Sequence, residues 1–136
     1  MVDGADFFPK PKWTWNSFVS YSTDRFNATV NVRHIGSGVL DVTRHYTADP
    51  ALEGNWDFNK VDSATYVNLA MSYDIPVGSD DRQSIGIFGA IDNLFDKDPP
   101  IAPGGGVSAG ATAYPTNPVY FDPYGMRWRI GARVKF

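Results

Sequence analysis

Two histidines and a few nearby carboxylates are the residues whose types could do metal chemistry. His34 and His45 lie close in sequence to Asp41 and Asp49. Imidazole and carboxylate both ligate divalent cations, yet this spacing fits no zinc or calcium pattern. His34 falls at an expected strand end, where a solvated or interfacial ring is the simpler reading. Asp92, Asp96 and Asp98 also gather, without the alternate acidic ligands around a glycine that a calcium loop of the EF type needs. Gly104-Gly105-Gly106 lacks the Gly-Lys-Ser/Thr of a phosphate cradle, and Asn27-Ala28-Thr29 spells a glycosylation acceptor inside an expected strand. There is no cysteine, and no arrangement of Ser, His and acid singles out a nucleophile. The pattern therefore predicts neither an enzyme nor a bound metal or cofactor. The candidate ligand contacts are loop aromatics: Tyr46, Trp56, Tyr114 and Tyr120.

The elements that position these residues are organised by period-two alternation. In the last stretch, Met126, Trp128, Ile130, Ala132, Val134 and Phe136 alternate with Arg127, Arg129, Gly131, Arg133 and Lys135. Successive side chains of a strand point to opposite faces, so this predicts a strand with one apolar and one cationic face. The length suits a transmembrane β-strand, which needs about 9–11 residues with one face to lipid and the other to a polar lumen. A half-buried strand of a soluble sheet alternates in the same way.

Four earlier stretches share the pattern. Trp13, Trp15, Ser17, Val19 and Tyr21 oppose Thr14, Asn16, Phe18 and Ser20, and Phe26, Ala28, Val30 and Val32 oppose Asn27, Thr29, Asn31 and Arg33. Thr65, Val67, Leu69, Met71 and Tyr73 oppose Tyr66, Asn68, Ala70, Ser72 and Asp74; Ile85, Ile87, Gly89 and Ile91 oppose Gly86, Phe88, Ala90 and Asp92. The predicted strands run over residues 12–22, 26–35, 64–74, 84–94 and 125–136. None of the residues on the apolar faces is charged, although charged residues make up 20% of the chain. Arg33, Asp74, Asp92, Arg127, Arg129 and Arg133 all fall on the opposite faces and are the expected lumen charges. Asp92 and Arg127 or Arg129 should approach one another, as they sit on successive strands.

The connections alternate short and long. Thr23-Asp24-Arg25 and residues 76–82 are turns, whereas 36–63 and 96–124 are long loops, with Val39 to Arg44 a possible strand extension. Short turns on one side and long loops on the other are the habit of outer-membrane barrels. Loops longer than about 15 residues are uncommon in compact soluble domains. Trp13, Trp15, Tyr21, Phe26, Tyr73, Trp128 and Phe136 lie near strand ends on the apolar faces, as the aromatic girdles of barrels do.

The 136 residues make one domain, and a net charge of −3 gives no reason to expect a nucleic acid partner. No stretch approaches the roughly 18 consecutive apolar residues of a membrane helix, and the mean hydropathy of −0.28 is compatible with alternating strands. The start, Met1-Val2-Asp3-Gly4-Ala5-Asp6, lacks a basic region, an apolar core and a cleavage site. If the protein is exported, its signal is expected outside this chain, which is then a fragment. Three architectures fit: a membrane barrel segment, a soluble lipocalin-like binding protein with the apolar faces turned inward, and another outer-membrane barrel such as a porin or adhesin anchor.

Several segments resemble the C-terminal end of TonB-dependent outer-membrane receptors. Ile91-Asp92-Asn93-Leu94-Phe95-Asp96-Lys97-Asp98-Pro99-Pro100 resembles the family's signature near the top of the penultimate strand. Tyr120-Phe121-Asp122-Pro123-Tyr124-Gly125-Met126-Arg127 resembles its approach to the final strand, and Trp128 to Phe136 the final strand itself. Tyr66-Val67-Asn68-Leu69 and Ser72-Tyr73-Asp74-Ile75 resemble the strand before. The resemblance implies an all-β antiparallel meander of about five transmembrane strands, the C-terminal part of a larger outer-membrane barrel of about 22 strands. Residues 1–136 would be a partial barrel domain without its plug domain, in the bacterial outer membrane. It also implies uptake of a ferric siderophore, cobalamin or sugar by the complete protein, driven through TonB by way of the missing plug region. Asp92, Asn93, Leu94, Phe95 and Asp96 carry the family motif. Trp128, Ile130, Val134 and Phe136 would form the signal read by the barrel assembly machinery.

Overall fold

The computed structural model of the chain describes residues 11–39, 60–78, 83–102 and 115–136. Seven strands are present among the described residues: β1 (Thr14–Ser22), β2 (Phe26–Ile35), β3 (Gly38–Val39), β4 (Lys60–Val61), β5 (Ala64–Pro76), β6 (Ser84–Asp92) and β7 (Arg127–Lys135). Five form a sheet in the order β1-β2-β5-β6-β7, and β3 pairs with β4. The chain is all-β, and its main sheet is an antiparallel meander. Among the described residues that sheet does not close on itself, and β1 and β7 are its outer strands.

The chain divides into two compact units. One comprises Met1–Thr14, His34–Ala64 and Asp98–Pro123, and it contains the buried residues Ile35, Val61, Ala64, Ala102 and Phe121. Its β3–β4 ladder aligns Gly38 with Val61 and Val39 with Lys60. This pair lies in the aperiodic 36–63 stretch, because two-residue strands are too short to show alternation. Residues 40–44, the rest of the possible strand extension, lie outside the described residues. Trp13 stacks on His34, with ring centroids 4.6 Å apart and planes 22° apart. The Gly36 N–H donates to the Trp13 carbonyl at 3.0 Å, and the indole lies 2.8 Å from where a Gly36 Cβ would stand. His34 is thus half-buried against an indole rather than freely solvated.

The second unit, Trp15–Arg33, Thr65–Lys97 and Tyr124–Phe136, holds most of the five-stranded sheet. Register makes its two faces continuous. Leu69, Met71, Tyr73 and Ile75 of β5 align with Ile91, Gly89, Ile87 and Ile85 of β6. These align in turn with Trp128, Ile130, Ala132 and Val134 of β7. The other face sets Asp74, Gly86 and Arg133 in one row and Ser72, Phe88 and Gly131 in the next. A one-residue slip would exchange the faces, so the sequence pattern and the ladder specify the same register.

Strand ends follow from local chemistry. β2 spans the expected residues. β1 begins at Thr14, two residues later than expected. β5 runs on to Pro76, since the Ile75–Ile85 and Pro76–Ser84 pairs extend the ladder and a strand-end proline need not donate. β6 stops at Asp92 rather than residue 94 because Asn93 adopts φ 54°, outside the β region. β7 starts at Arg127 rather than 125, since Gly125 has φ 70° and the Met126 N–H is engaged by Asp96.

Phe88 fills the space that Gly131 leaves open. A Cβ built on Gly131 would meet Phe88 Cζ at 2.5 Å and Cε2 at 2.8 Å. An aromatic ring laid over a cross-strand glycine pins register. Gly131→Ala must move that ring and is expected to cost about 1–3 kcal/mol of stability. Denaturant unfolding in detergent measures this, and Phe88→Ala in the same chain should relieve much of the added cost. An unchanged midpoint for Gly131→Ala would show that the ring yields freely.

Candidate functional site

Two regions gather the candidate residues: the polar face of the sheet and the turn after β6. In that turn Asn93 is 1% exposed and has a left-handed backbone, a region that Asn and Asp tolerate better than other side chains. Its Nδ2 donates to the Lys97 carbonyl at 3.0 Å, and its Oδ1 accepts from the Lys97 N–H at 2.9 Å. The Asp96 N–H donates to the Asn93 carbonyl at 2.9 Å, and Asp96 is also left-handed, with φ 49°. Asp96 Oδ1 accepts the Met126 N–H at 2.8 Å, one residue before β7. A Cβ on Gly125 would stand 2.8 Å from that oxygen, so glycine suits this position on two counts. The Leu94 N–H donates to the Val67 carbonyl at 2.8 Å, while Phe95 is 74% exposed. Asn93 and Asp96 therefore form a clasp that joins the end of β6 to the start of β7.

Asparagines extend this clasp across the sheet. The Asn93 N–H donates to Asn68 Oδ1 at 2.9 Å, and Asn68 Nδ2 donates to Asn31 Oδ1 at 3.1 Å. Asn31 Nδ2 donates to Asn16 Oδ1 and to the Ser17 carbonyl. Ser20 and Thr29 hydroxyls bond at 3.0 Å on the same face. The row of Asn16, Asn31, Asn68 and Asn93 was not singled out by sequence reasoning. All four are visible as polar-face residues or loop asparagines, but only strand register reveals that they line up. Amides suit such a row because each offers both donor and acceptor.

Arg129 approaches Asp92 at 3.5 Å, with side chains 73% and 31% exposed, so this solvated pair contributes little to stability. Asp92 also sits opposite Arg127 in register, and the Arg127 guanidinium lies 5.0 Å from the Tyr124 ring centroid. The approach of Asp92 to the β7 arginines is as antiparallel neighbours predict. Asp74 and Arg133 both lean over Gly86, whose Cβ would meet Asp74 Oδ1 at 2.7 Å. Arg33 is half-buried on β2.

On the apolar face, Trp128 is 73%, Ile130 72% and Phe136 95% exposed, with Val134 also exposed. Tyr120 donates its N–H to the Asn117 carbonyl at 3.2 Å. Tyr46, Trp56 and Tyr114 lie outside the described residues, as do His45, Asp41 and Asp49. Among the described residues no group of three or more His, Cys, Asp or Glu is placed to hold a metal ion.

No protein-family model matches the chain, and no curated protein or solved structure matches it.

Proposed function

We propose that the chain is the C-terminal barrel segment of a TonB-dependent outer-membrane receptor, with uptake of a nutrient such as a ferric siderophore, cobalamin or sugar belonging to the complete protein. The observation that carries this reading is the uncovered apolar face of the five-stranded sheet. A sheet normally buries its apolar face against a second layer. Here Val19, Tyr21, Met71, Tyr73, Ile87, Trp128, Ile130 and Val134 are all exposed. Lipid is a solvent that accepts such a face, provided that its backbone groups are paired. The opposite face, with its amides, hydroxyls and charges, suits a lumen. The clasp at Asn93 and Asp96 gives the family-like motif a mechanical role, holding the final strand to its neighbour. This favours the receptor over a porin or adhesin anchor.

In this reading the partners are outer-membrane lipid, the rest of the barrel and the plug domain. The TonB complex acts through the plug, and the barrel assembly machinery recognises the apolar face of β7 with Phe136. The 136 residues transport nothing alone, because an open five-stranded sheet leaves edges that hydrocarbon does not tolerate.

Light scattering tests the solvent requirement. The chain should aggregate in buffer and become monodisperse in detergent micelles. A monodisperse monomer without detergent would instead favour the lipocalin-like architecture. The genomic sequence upstream tests the family: an in-frame plug domain is expected, and an in-frame domain of another kind would contradict it.

A further inference from the structure

We propose that Asn16, Asn31 and Asn68 form a one-way amide relay whose direction is set by the Asn93 backbone, so that the turn after β6 controls how the asparagines of β2 and β1 are oriented. A half-turn about χ2 exchanges the oxygen and nitrogen of an asparagine amide at little steric cost. A row of such amides is therefore free to run in either direction, and its ends must choose. One end is the Asn93 N–H, a backbone group that donates and cannot accept. It donates to Asn68 Oδ1 at 2.9 Å, which leaves Asn68 Nδ2 to face β2. That nitrogen donates to Asn31 Oδ1 at 3.1 Å, which turns Asn31 Nδ2 toward β1. There it donates to Asn16 Oδ1 and, at 3.2 Å, to the Ser17 carbonyl, a group that accepts and cannot donate. The two backbone ends thus demand the same direction.

Reversal would oppose like groups at both ends: Asn68 Nδ2 would face the Asn93 N–H, and Asn31 Oδ1 the Ser17 carbonyl. Asn68 and Asn31 are half-buried, where such a mismatch costs more than in water. The relay runs from Asn93, 1% exposed, through these two residues to the exposed Asn16. Its fixed end is also the point that can change. The Asn93 N–H is held in place by a left-handed backbone and by the two bonds between the Asn93 amide and Lys97. Asp96, three residues on, holds the Met126 N–H just before β7. A shift of this clasp withdraws the donor from Asn68 and frees the amides of β5, β2 and β1 to turn. By linkage, anything that holds Asn16 or Asn31 in this orientation steadies the clasp in return. The same relay operates whether the opposite face of the sheet meets lipid or protein.

Side-chain amide NMR on the full, isotopically labelled chain in detergent micelles tests this. In the parent, the Asn31 Nδ2 protons should show their strongest NOEs to Asn16 and Ser17 of β1. In Asn68→Asp the carboxylate still accepts the Asn93 N–H but has no donor to offer Asn31. Asn31 should then turn its amide toward β5, losing the NOEs to β1 and gaining them to the methylene at position 68. Asn93→Gly keeps the backbone N–H but removes the two bonds to Lys97. There the Asn31 amide should report both orientations, with NOEs to β1 and β5, and the Asn16 amide resonances should shift. Ser20→Ala, which removes the Ser20–Thr29 bond on the same face, should leave Asn31 as in the parent. If Asn68→Asp does not fold, the parent orientation and Asn93→Gly decide. Asn31 amide protons facing β5 in the parent, an unchanged Asn31 in either asparagine variant, or an equal change in Ser20→Ala would each overturn the proposal.

Discussion

On the proposed barrel reading, Ile130→Arg is expected to lower the folding stability of the chain in lipid by about 2–4 kcal/mol, the cost of an arginine on the lipid face of a barrel near the bilayer midplane. Ile130 is 72% exposed, sits mid-strand in β7 and aligns with Gly89 of β6. No side chain stands opposite on β6 to shield an introduced guanidinium. Arg133→Ala, three residues away on the other face, should change stability by much less, since Arg133 makes no ion pair among the described residues. Equilibrium unfolding in lipid vesicles measures both. Equal costs for the two substitutions would mean that the faces do not differ in environment.

Asn93→Ala should cost about 2–4 kcal/mol, through two separable effects. Removing the amide leaves the Lys97 N–H and carbonyl without their partners, at about 1 kcal/mol or more each. Alanine at φ 54° adds about 1–2 kcal/mol of backbone strain. Asn93→Gly keeps the first cost and removes the second, so it should be less damaging than alanine despite making no side-chain bond. Denaturant unfolding in detergent separates the variants. Both within about 0.5 kcal/mol of the parent, the range of ordinary surface substitutions, would show that the clasp carries no stability.

The legible parts of this fold are those in which one face differs sharply from the other. β2 was readable to its ends, because Phe26, Ala28, Val30 and Val32 alternate with polar residues between a Thr-Asp-Arg turn and Gly36. The faces of β5, β6 and β7 were readable too, and their ladder joins apolar to apolar throughout. What alternation conceals is lateral. Nothing in the spacing of Asn16, Asn31, Asn68 and Asn93 announces a row, since cross-strand alignment depends on where each turn sets the register. The Phe88–Gly131 contact is hidden for the same reason. The pair β3–β4 escaped because two residues cannot display a period. Strand ends at Asn93 and Gly125 were misplaced by two residues because positive φ, not hydrophobicity, stops these strands. The Asp and Gly residues that looked like possible metal or phosphate ligands include Asp96, which instead holds the Met126 amide.

Depth-dependent quenching tests the membrane reading most directly. Gly131, the immediate neighbour of Ile130, is a poor place for a label, because any side chain there collides with Phe88. Arg133 is exposed on the same polar face and is the better control. Fluorophores on Ile130→Cys and on Arg133→Cys, each in the otherwise native chain in lipid vesicles, report the two faces, since the protein has no other cysteine. A lipid-soluble quencher should extinguish the label at position 130 and spare the one at 133, while a water-soluble quencher should do the reverse. Protection of position 130 from both quenchers, as in the core of a soluble protein, would contradict the account.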